Sequence, residues 1–435
     1  MNTWNYPEYQ NWKNIIQRPS IDQHAVWDSV QQIMTTVKER GDEAVREYAL
    51  KWDAFVPDSF PATAAEIDEG AARCSESLQN AIQIAIAQIR AFHSNQCTSE
   101  NPVESIAGVK CWRKSIAIQR VGLYIPGGTA PLFSTLLMLA IPAQIAGCNE
   151  ISICTPPDEH GKLPAAICWI CKQLQLTRLF KVGGAQAIAA MTFGTETIPA
   201  VDKIFGPGNQ FVTAAKQQAL QWGVAIDLPA GPSEVAVFAD ETGNPDFIAA
   251  DMLSQAEHGV DSQVLLVTTC PKLIDQVQQS IRMQLQTLPR KSIAEKALAQ
   301  SHLVLVHSEQ EAFQLLNEYA PEHLILAANN AESLVSGVIN AGSVFVGHFA
   351  PESAGDYASG TNHTLPTNGF ARAFSGVSTS SFMKQISFQQ LTATGLHQLA
   401  PAIVEMAREE GLEAHARAVL IRATQQSGIH PNYER

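Results

Sequence analysis

The stretch LSQAEHGVDSQ, residues 253–263, holds an amide and an imidazole three positions apart, Gln255 and His258. The Asn-Pro-Asp run at 244–246 predicts a helix start and Gly259 predicts its end, so both side chains follow the apolar stripe of one helix. A polar group on a buried face must be hydrogen-bonded or coordinated, because an unpaired one is costly. The pair is therefore either an ordinary amide with a histidine favoured by the helix dipole, or two metal ligands.

Three further clusters bring carboxylates and imidazoles. They are Glu322 with His323 in YAPEHLILA, Asp356 with His363 in ESAGDYASGTNHTLP, and Glu410 with His415 in the C-terminal helical region. Each has an ordinary explanation, as a packed histidine, an Asx turn or a solvated helix face. Together they supply nitrogen and oxygen donors without thiolate, which suits zinc, manganese or cobalt in an expandable site.

Glu322 and His323 are adjacent at the start of a buried strand. A regular strand would direct them to opposite faces. Pro321 predicts an irregular start, so we expect both side chains to reach one site.

The eight cysteines are scattered, and only CWIC at 168–171 has the C-x-x-C spacing. This motif lies in the apolar helical stretch LPAAICWICKQL and has no second C-x-x-C to complete a zinc site. We therefore expect buried thiols in the core rather than zinc or redox chemistry.

Length and charge set the class of protein. A chain of 435 residues predicts two or three domains, and a net charge of −13 gives no reason to bind nucleic acid or anionic lipid. The N-terminus lacks a signal-peptide pattern, and the apolar segment LFSTLLMLAI, which Pro142 is expected to end, is too short to span a membrane. We expect a soluble, cytoplasmic protein.

The elements that must hold these residues alternate from Ala117 onward. Short, continuously apolar strands followed by helices predict parallel sheets covered on both faces. Two long helices come before them, the first broken near Gly41. The stretch from Ser387 to the C-terminus is predicted to be helical without strands and to contact a partner subunit.

Three glycine turns follow predicted strands: PGGTAP at 126–131, VGGAQA at 182–187 and FGPGNQF at 205–211. Such turns at the carboxyl ends of parallel strands offer N–H groups to phosphates. None has the G-x-G-x-x-G spacing, so nucleotide binding is only weakly indicated by spacing.

Six strings, which are in chain order GPGNQFVTAAK, DLPAGPSEV, SQAEHG, APEHLI, GSVFVG and PESAGDYASGTNHTLPT, closely resemble the histidinol dehydrogenase family, which performs the last step of histidine biosynthesis. The resemblance covers nearly the whole chain. It implies an α/β fold of two incomplete Rossmann-like, doubly wound parallel-sheet units, one inserted in the other, with a small helical terminal arm. The expected boundaries are an N-terminal arm at 1–24, an α/β domain with the metal site at 25–120 and 232–375, an inserted α/β domain with NAD contacts at 121–231, and a C-terminal arm at 376–435.

The resemblance also implies roles for individual residues. The implied zinc ligands are Gln255, His258, Asp356 and, from the other subunit of a homodimer, His415. Glu322 is implied as the general base that activates water, and His323 as the base that takes the substrate hydroxyl proton. The implied substrate contacts are Ser233, Gln255, His258, His323, Asp356, His363, Glu410 and His415, and the implied NAD⁺ contacts are Tyr124, Gln186 and Asn209.

The implied reaction is a four-electron, NAD⁺- and zinc-dependent oxidation of L-histidinol to L-histidine through L-histidinal, with one zinc per subunit and shared active sites. No cysteine has an obvious role, which disfavours a thiohemiacetal mechanism. Two alternatives stay open at this point: a zinc hydrolase acting on an amide or ester, and a two-lobed protein that only binds a small molecule.

Overall fold

The computed structural model describes residues 1–18, 23–53, 55–96, 101–127, 132–228 and 231–424. The strands, in chain order, are β1 (Asn2–Asn5), β2 (Val103–Ile106), β3 (Val109–Ala117), β4 (Arg120–Tyr124), β5 (Glu150–Thr155), β6 (Leu179–Lys181), β7 (Lys203–Phe205), β8 (Ala225–Ile226), β9 (Glu234–Ala239), β10 (Gln263–Thr268), β11 (His302–Leu305), β12 (His323–Ala327), β13 (Ser343–Val346) and β14 (Met383–Leu391).

The helices are α1 (Trp12–Ile16), α2 (Gln23–Trp52), α3 (Ala64–Ala72), α4 (Glu76–Ser94), α5 (Phe133–Ala146), α6 (Ala165–Gln173), α7 (Gly184–Phe193), α8 (Gln210–Ala219), α9 (Pro245–Ala256), α10 (Pro271–Gln284), α11 (Lys291–Ala299), α12 (Glu309–Tyr319), α13 (Ala331–Leu334), α14 (Glu352–Tyr357), α15 (Ala393–Glu409) and α16 (Glu413–Thr424).

Two parallel sheets form the larger of two compact units. A six-stranded sheet has the order β1-β11-β10-β9-β12-β13, and a five-stranded sheet has the order β6-β5-β4-β7-β8. Every residue of β9, β10, β11 and β12 is buried, because helices cover both faces of the sheet. The continuously apolar strand pattern thus predicted this architecture correctly, and the α/β fold of two parallel-sheet units is confirmed.

The five-stranded sheet is inserted in the chain of the six-stranded one. Strand β1 pairs with β11, and Trp12 and Ile15 of α1 lie in the core of the six-stranded sheet, before the chain leaves to build β4 to β8 and returns at β9. Helices α2, α3 and α4 pack on helices of the five-stranded sheet, so they lie with that sheet, whereas the expected boundary put residues 25–120 with the other. The reason is that their apolar stripes, such as Val30, Met34 and Val37 of α2, complete the core beneath α7. An amphipathic pattern shows that a helix is half-buried but does not show which sheet it covers.

Helix α2 has the predicted break. Gly41 has φ 53° and ψ −133°, outside the helical region and in a conformation that L side chains rarely adopt. The Glu196 carboxylate accepts a hydrogen bond from the Asp42 N–H at 2.7 Å just after the break. Helix α2 packs against α7 and α8.

Helix α5 continues past Pro142, where the apolar segment was expected to end. It runs to Ala146, and Gly147, whose φ is 88°, caps it. Proline has no N–H to donate to the carbonyl four residues earlier, which here belongs to Met138. Asn362 Nδ2 donates to the Met138 carbonyl at 2.6 Å instead. A distant side chain thus replaces the missing hydrogen bond, and the helix continues.

The smaller compact unit comprises Cys97–Ala117 and Met383–Arg435. Strands β2, β3 and β14 form an antiparallel sheet in the order β14-β3-β2, and α15 packs against α16 through Val404, Ala407 and Ala416. The expectation that the chain from Ser387 lacks strands was wrong, because β14 pairs with β3 along its whole length. The Phe388 ring stacks on Trp112 at 5.5 Å, a contact with a partner strand more than 250 residues away that local pattern does not reveal.

The described cysteines are all free, and Cys168 and Cys171 of the C-x-x-C motif are fully buried, as predicted. Burial raises the pKa of the Cys168 thiol to about 11, so it is protonated at neutral pH. Within the described ranges, no helix is both long enough and apolar enough to cross a bilayer.

Candidate metal and catalytic site

The site begins where α12 passes into β12. Ala320 takes a left-handed conformation with φ 51°, and Pro321 follows it, so the strand does not start with regular alternation. Glu322 and His323 both turn inward, and Oε2 of Glu322 lies 3.5 Å from Nδ1 of His323. The irregular start expected from Pro321 therefore brings the two side chains together.

The backbone of Glu234, the first residue of β9, orients this pair. Its N–H donates to Glu322 Oε2 at 2.9 Å, and its carbonyl accepts from His323 Nδ1 at 3.1 Å and from Gln255 Nε2 at 3.2 Å. Gln255 Nε2 also donates to Glu322 Oε2 at 3.3 Å. Since a carbonyl only accepts, the proton of a neutral His323 is on Nδ1, and Nε2 is its basic nitrogen.

The charge states of this pair follow from burial and from three acids. Burial raises the pKa of Glu322. Burial alone would lower the pKa of His323, but the negative charges of Glu322, Glu352 and Asp356 outweigh it and raise the pKa to about 10. Both groups therefore hold a proton more tightly than their ordinary counterparts, and His323 becomes a free base at neutral pH only when a positive charge offsets the three acids.

A cluster of possible metal ligands lies beside His323. His258, Glu352 and Asp356 each offer one ligand atom, and these atoms lie within 4.8 Å of one another. His258 follows the carboxyl end of α9, and the two acids are one turn apart on α14. Glu352 is buried, Asp356 is half-buried and His258 is exposed, so the cluster opens toward solvent on one side.

The donor set fits a divalent metal such as zinc. In the described part of the chain, the buried Oε1 of Gln255 has no hydrogen-bond partner, and neither does Nε2 of His323, which lies 3.8 Å from Asp356 Oδ1. An amide oxygen, an imidazole and carboxylates, without thiolate, are typical of an expandable site. Unpartnered buried polar atoms next to such a set are what a bound ion would satisfy.

Glu352 was not among the predicted site residues. It is 1% exposed, its Oε2 accepts from Ser254 Oγ at 3.2 Å, and burial raises its pKa to about 8. Its signal was present in the sequence, because it stands four residues before Asp356, and residues so spaced share one face of a helix.

His363 and Ser233 lie at the same site. His363 Nδ1 donates to the Asp356 carbonyl at 2.8 Å, its Nε2 lies 3.3 Å from Thr135 Oγ1, and burial lowers its pKa, so the ring is neutral. A cavity of about 60 Å³, large enough for a few waters, joins the edges of the two sheets. Its lining includes Ser233, Glu322 and His363 on one side and Gly206, Lys216 and Asp227 on the other.

The predicted NAD⁺ contacts lie at the carboxyl edge of the five-stranded sheet. Tyr124 ends β4, Gln186 lies in the first turn of α7, and Asn209 caps α8 by accepting from the Phe211 and Val212 N–H groups. Tyr124 Oη accepts from the Gly184 N–H at 3.1 Å, and burial raises its pKa to about 12, so the phenol is neutral.

Two of the three glycine turns lie here in the described part of the chain. A Cβ on Gly206, where φ is 126°, would lie 2.1 Å from the Tyr124 carbonyl, so only glycine fits. Residues 128–131 of the PGGTAP turn lie outside the described residues. The Gln186 amide donates to Asp53 Oδ2 at 3.2 Å, and its Oε1 has no partner among the described residues.

Glu410 and His415 belong to the smaller unit. Glu410 caps the carboxyl end of α15, His415 lies in α16, and both are exposed. The structure thus brings together Ser233, Gln255, His258, Glu322, His323, Asp356 and His363 in the larger unit. A part for Glu410 and His415 in the site stays a prediction.

Comparisons with known proteins agree on one family. Residues 16–423 match the sequence model of the family described as "Histidinol dehydrogenase". The chain is similar to a histidinol dehydrogenase of Bacteroides fragilis, with 53% identity over 96% of this chain and 97% of the relative, and to one of Vibrio cholerae, with 49% identity over 94% and 95%. A crystal structure of histidinol dehydrogenase from Elizabethkingia anophelis superposes with a TM-score of 0.96 and 50% identity, covering 98% of this chain and 99% of that one.

Proposed function

The chain belongs to the histidinol dehydrogenase family, an oxidoreductase family, and from this premise we propose that it oxidises L-histidinol to L-histidine through L-histidinal. The observation that carries the proposal is the buried Glu322–His323 pair beside the cluster of His258, Glu352 and Asp356. Two proton acceptors next to nitrogen and oxygen metal donors suit an alcohol oxidation followed by an aldehyde oxidation.

In the first oxidation, His323 Nε2 takes the hydroxyl proton of histidinol while the carbinol carbon loses a hydride. Its other nitrogen, Nδ1, donates to the Glu234 carbonyl, which holds the ring in the tautomer that leaves Nε2 basic. General-base catalysis of this kind contributes on the order of 10²–10⁴-fold.

In the second oxidation, Glu322 takes a proton from a water that adds to the aldehyde, and the resulting hydrate loses a second hydride to give the carboxylic acid. The cavity of about 60 Å³ on which Glu322 opens supplies room for this water. The balance is one histidinol and one water, giving histidine, two hydrides and two protons, the protons leaving through His323 and Glu322. NAD⁺ would be the two-electron acceptor of each hydride, and Tyr124, Gln186 and Asn209 would contact it.

Gln255, His258 and Asp356 would hold a zinc ion, with His415 of the partner subunit as a further ligand. When bound, the metal supplies a fixed template for the amino and imidazole nitrogens of the substrate and a positive charge that offsets the surrounding carboxylates. Ser233 and His363 would contact the substrate, together with Glu410 of the partner subunit. The neutral His363 ring, fixed by the Asp356 carbonyl, suits a contact that orients rather than transfers protons.

The test is an assay of the purified, zinc-loaded protein with L-histidinol and NAD⁺. We expect two NADH and one histidine per histidinol consumed. Histidinol left intact, with the metal content verified, would overturn the proposal, and histidinal as the final product would overturn the second oxidation.

Sites shared between subunits have their own test. Variants His415→Asn and Glu322→Gln should each be inactive in the complete reaction, but mixed dimers should recover part of the activity, because one of the two sites then has no altered residue. Verified mixed dimers without activity would mean that each site is built from one chain.

A further inference from the structure

A buried ion pair lies directly behind the Glu322–His323 pair. Arg18 Nε lies 2.5 Å from Glu234 Oε1, and Arg18 Nη2 lies 2.8 Å from Oε2, so the contact is bidentate. The side chains are 12% and 3% exposed, and the Asn368 N–H donates to Oε1 at 2.8 Å. The Glu234 carboxylate is thus held by three donors and has no freedom to turn.

The backbone of the same residue orients the site. As described above, the Glu234 N–H binds the Glu322 carboxylate, and its carbonyl receives both His323 Nδ1 and Gln255 Nε2. A small rotation of the Glu234 peptide groups would therefore move the Glu322 carboxylate. It would also break the hydrogen bond that keeps the proton of His323 on Nδ1. The side chain that fixes Glu234 acts on both bases at once.

Arg18 also holds the turn that leads to β12. Its Nη2 donates to the Tyr319 carbonyl at 2.7 Å, and its guanidinium lies 4.1 Å from the centre of the Tyr319 ring. Tyr319 is fully buried, three residues before Glu322, and its hydroxyl donates to Gln263 Oε1 at 2.9 Å. One guanidinium therefore joins the first residue of β9 to the chain that enters β12.

We propose that Arg18 and Glu234 are positioning residues for the reaction, which set the direction of the Glu322 carboxylate and the tautomer of His323. This inference rests on the proposed roles of Glu322 and His323. Stability alone does not explain the arrangement well, because a buried ion pair is often no more stabilising than apolar side chains of similar volume. The planar guanidinium group of Arg18 matters here, because its N–H groups reach a carboxylate and a carbonyl at the same time. A lysine ammonium group does not offer this geometry.

The test compares two variants with the wild-type enzyme. Arg18→Met leaves the Glu234 carboxylate buried and unpaired, so both the melting temperature and kcat should fall. Arg18→Met combined with Glu234→Leu removes both charges, so the melting temperature should recover. If the pair positions the bases, kcat of the double variant should stay about 10- to 100-fold low, the range seen when supporting hydrogen bonds are removed from a site.

A matched control is Arg120→Met, which breaks an exposed ion pair with Asp202 at 2.6 Å, away from the two bases, and should leave kcat unchanged. KM for NAD⁺ should be unchanged in all variants. A double variant that recovers both stability and kcat would overturn the inference while the wild-type activity stands.

A second readout does not depend on turnover. In a crystal structure of the double variant, the Glu322 carboxylate and the His323 ring should leave the Glu234 backbone groups. Side chains that keep their wild-type hydrogen bonds would overturn the positioning role, whatever the wild-type protein oxidises. Failure of the proposed function would instead appear as histidinol left intact by the wild-type protein.

Discussion

The two parallel sheets carry their candidate sites at opposite edges. In the five-stranded sheet, the candidate cofactor contacts stand at the carboxyl ends of strands, where Tyr124 ends β4 and Asn209 begins α8. In the six-stranded sheet, the candidate metal and catalytic groups stand at the amino ends, where Glu234 and His323 are the first residues of β9 and β12. The cavity between the sheets is lined by residues from both edges.

The difference follows from the helices. The carboxyl edge of a parallel sheet meets helix amino ends, whose free N–H groups favour anions such as a pyrophosphate. The amino edge meets helix carboxyl ends, whose carbonyls favour cations, and His258 stands at the end of α9 in that place. The usual expectation for doubly wound folds, that ligands bind at the carboxyl edge, therefore fits the candidate cofactor site but not the candidate metal and catalytic site.

The largest expected effect is at the amino edge. Glu322→Gln should reduce aldehyde oxidation by about 10²–10⁴-fold, because the amide cannot take a proton from water, while oxidation of histidinol to histidinal is spared more. Rates with L-histidinol and with L-histidinal, measured separately, test this. The exposed Glu309→Gln is a control that should leave both rates unchanged. Equal losses with both substrates would contradict a base that serves only the second oxidation.

The next effect separates cation binding from cofactor binding. His258→Asn should weaken zinc binding by more than about 100-fold, at least the cost of losing a supporting contact, because an imidazole ligand is lost. The dissociation constant for NAD⁺, measured with the metal-free proteins, should be unchanged. Full zinc content after dialysis would remove His258 from the ligand set. His160, an exposed histidine on a turn, provides the control variant His160→Asn.

A smaller effect compares two asparagine caps. Asn209 caps α8 and Asn244 caps α9, each accepting from two backbone N–H groups, but only Asn209 lies at the candidate cofactor edge. Both alanine variants should lose about 1 kcal/mol of stability. Only Asn209→Ala should also raise KM for NAD⁺, by about five- to tenfold for one lost hydrogen bond. Similar KM values in the two variants would argue against cofactor binding at this edge.

The smallest expected effect is on the way the stability of the protein changes with pH. His93 is buried on α4, its Nδ1 bonds the Ile89 carbonyl, and burial lowers its pKa below the unfolded value of 6.5. The unfolded chain therefore binds the proton more readily, so stability should be present above pH 6.5 and should fall as the pH drops below it. His93→Gln should show a shallower fall in melting temperature between pH 7.5 and 5.5. If the melting temperatures of the two proteins fell equally with pH, His93 would not be a source of the pH dependence.

Much of the fold and of the candidate site was predictable from the sequence, because it depends on the pattern of neighbouring residues. Continuous apolar strands predicted the two parallel sheets, Gly41 predicted the break in α2, and Pro321 predicted the irregular start that joins Glu322 to His323. Donor types alone suggested a metal, and Glu352 would have been found by extending the helical spacing from Asp356 backward.

The rest depends on long-range contacts. Helix α2 shows a half-buried pattern that is satisfied equally well by either sheet, and its contact with α7 decides between them. Strand β14 is a strand because β3 pairs with it, and α5 passes Pro142 because Asn362 supplies a donor. In each case the deciding partner is far away in the sequence, so no window of neighbouring residues contains it.

The proline within α5 has a further consequence for protein engineering. Replacing Pro142 with alanine looks like a simple improvement, since it would give the Met138 carbonyl a partner inside the helix. The Met138 carbonyl would then be shared between the new N–H group and the Asn362 amide, which would weaken the hydrogen bond that holds the chain beside His363. The substitution would thus make α5 more regular and more stable but would leave the cavity wall at His363 less rigid. Pro142 is therefore worth keeping in any stabilised version of the enzyme.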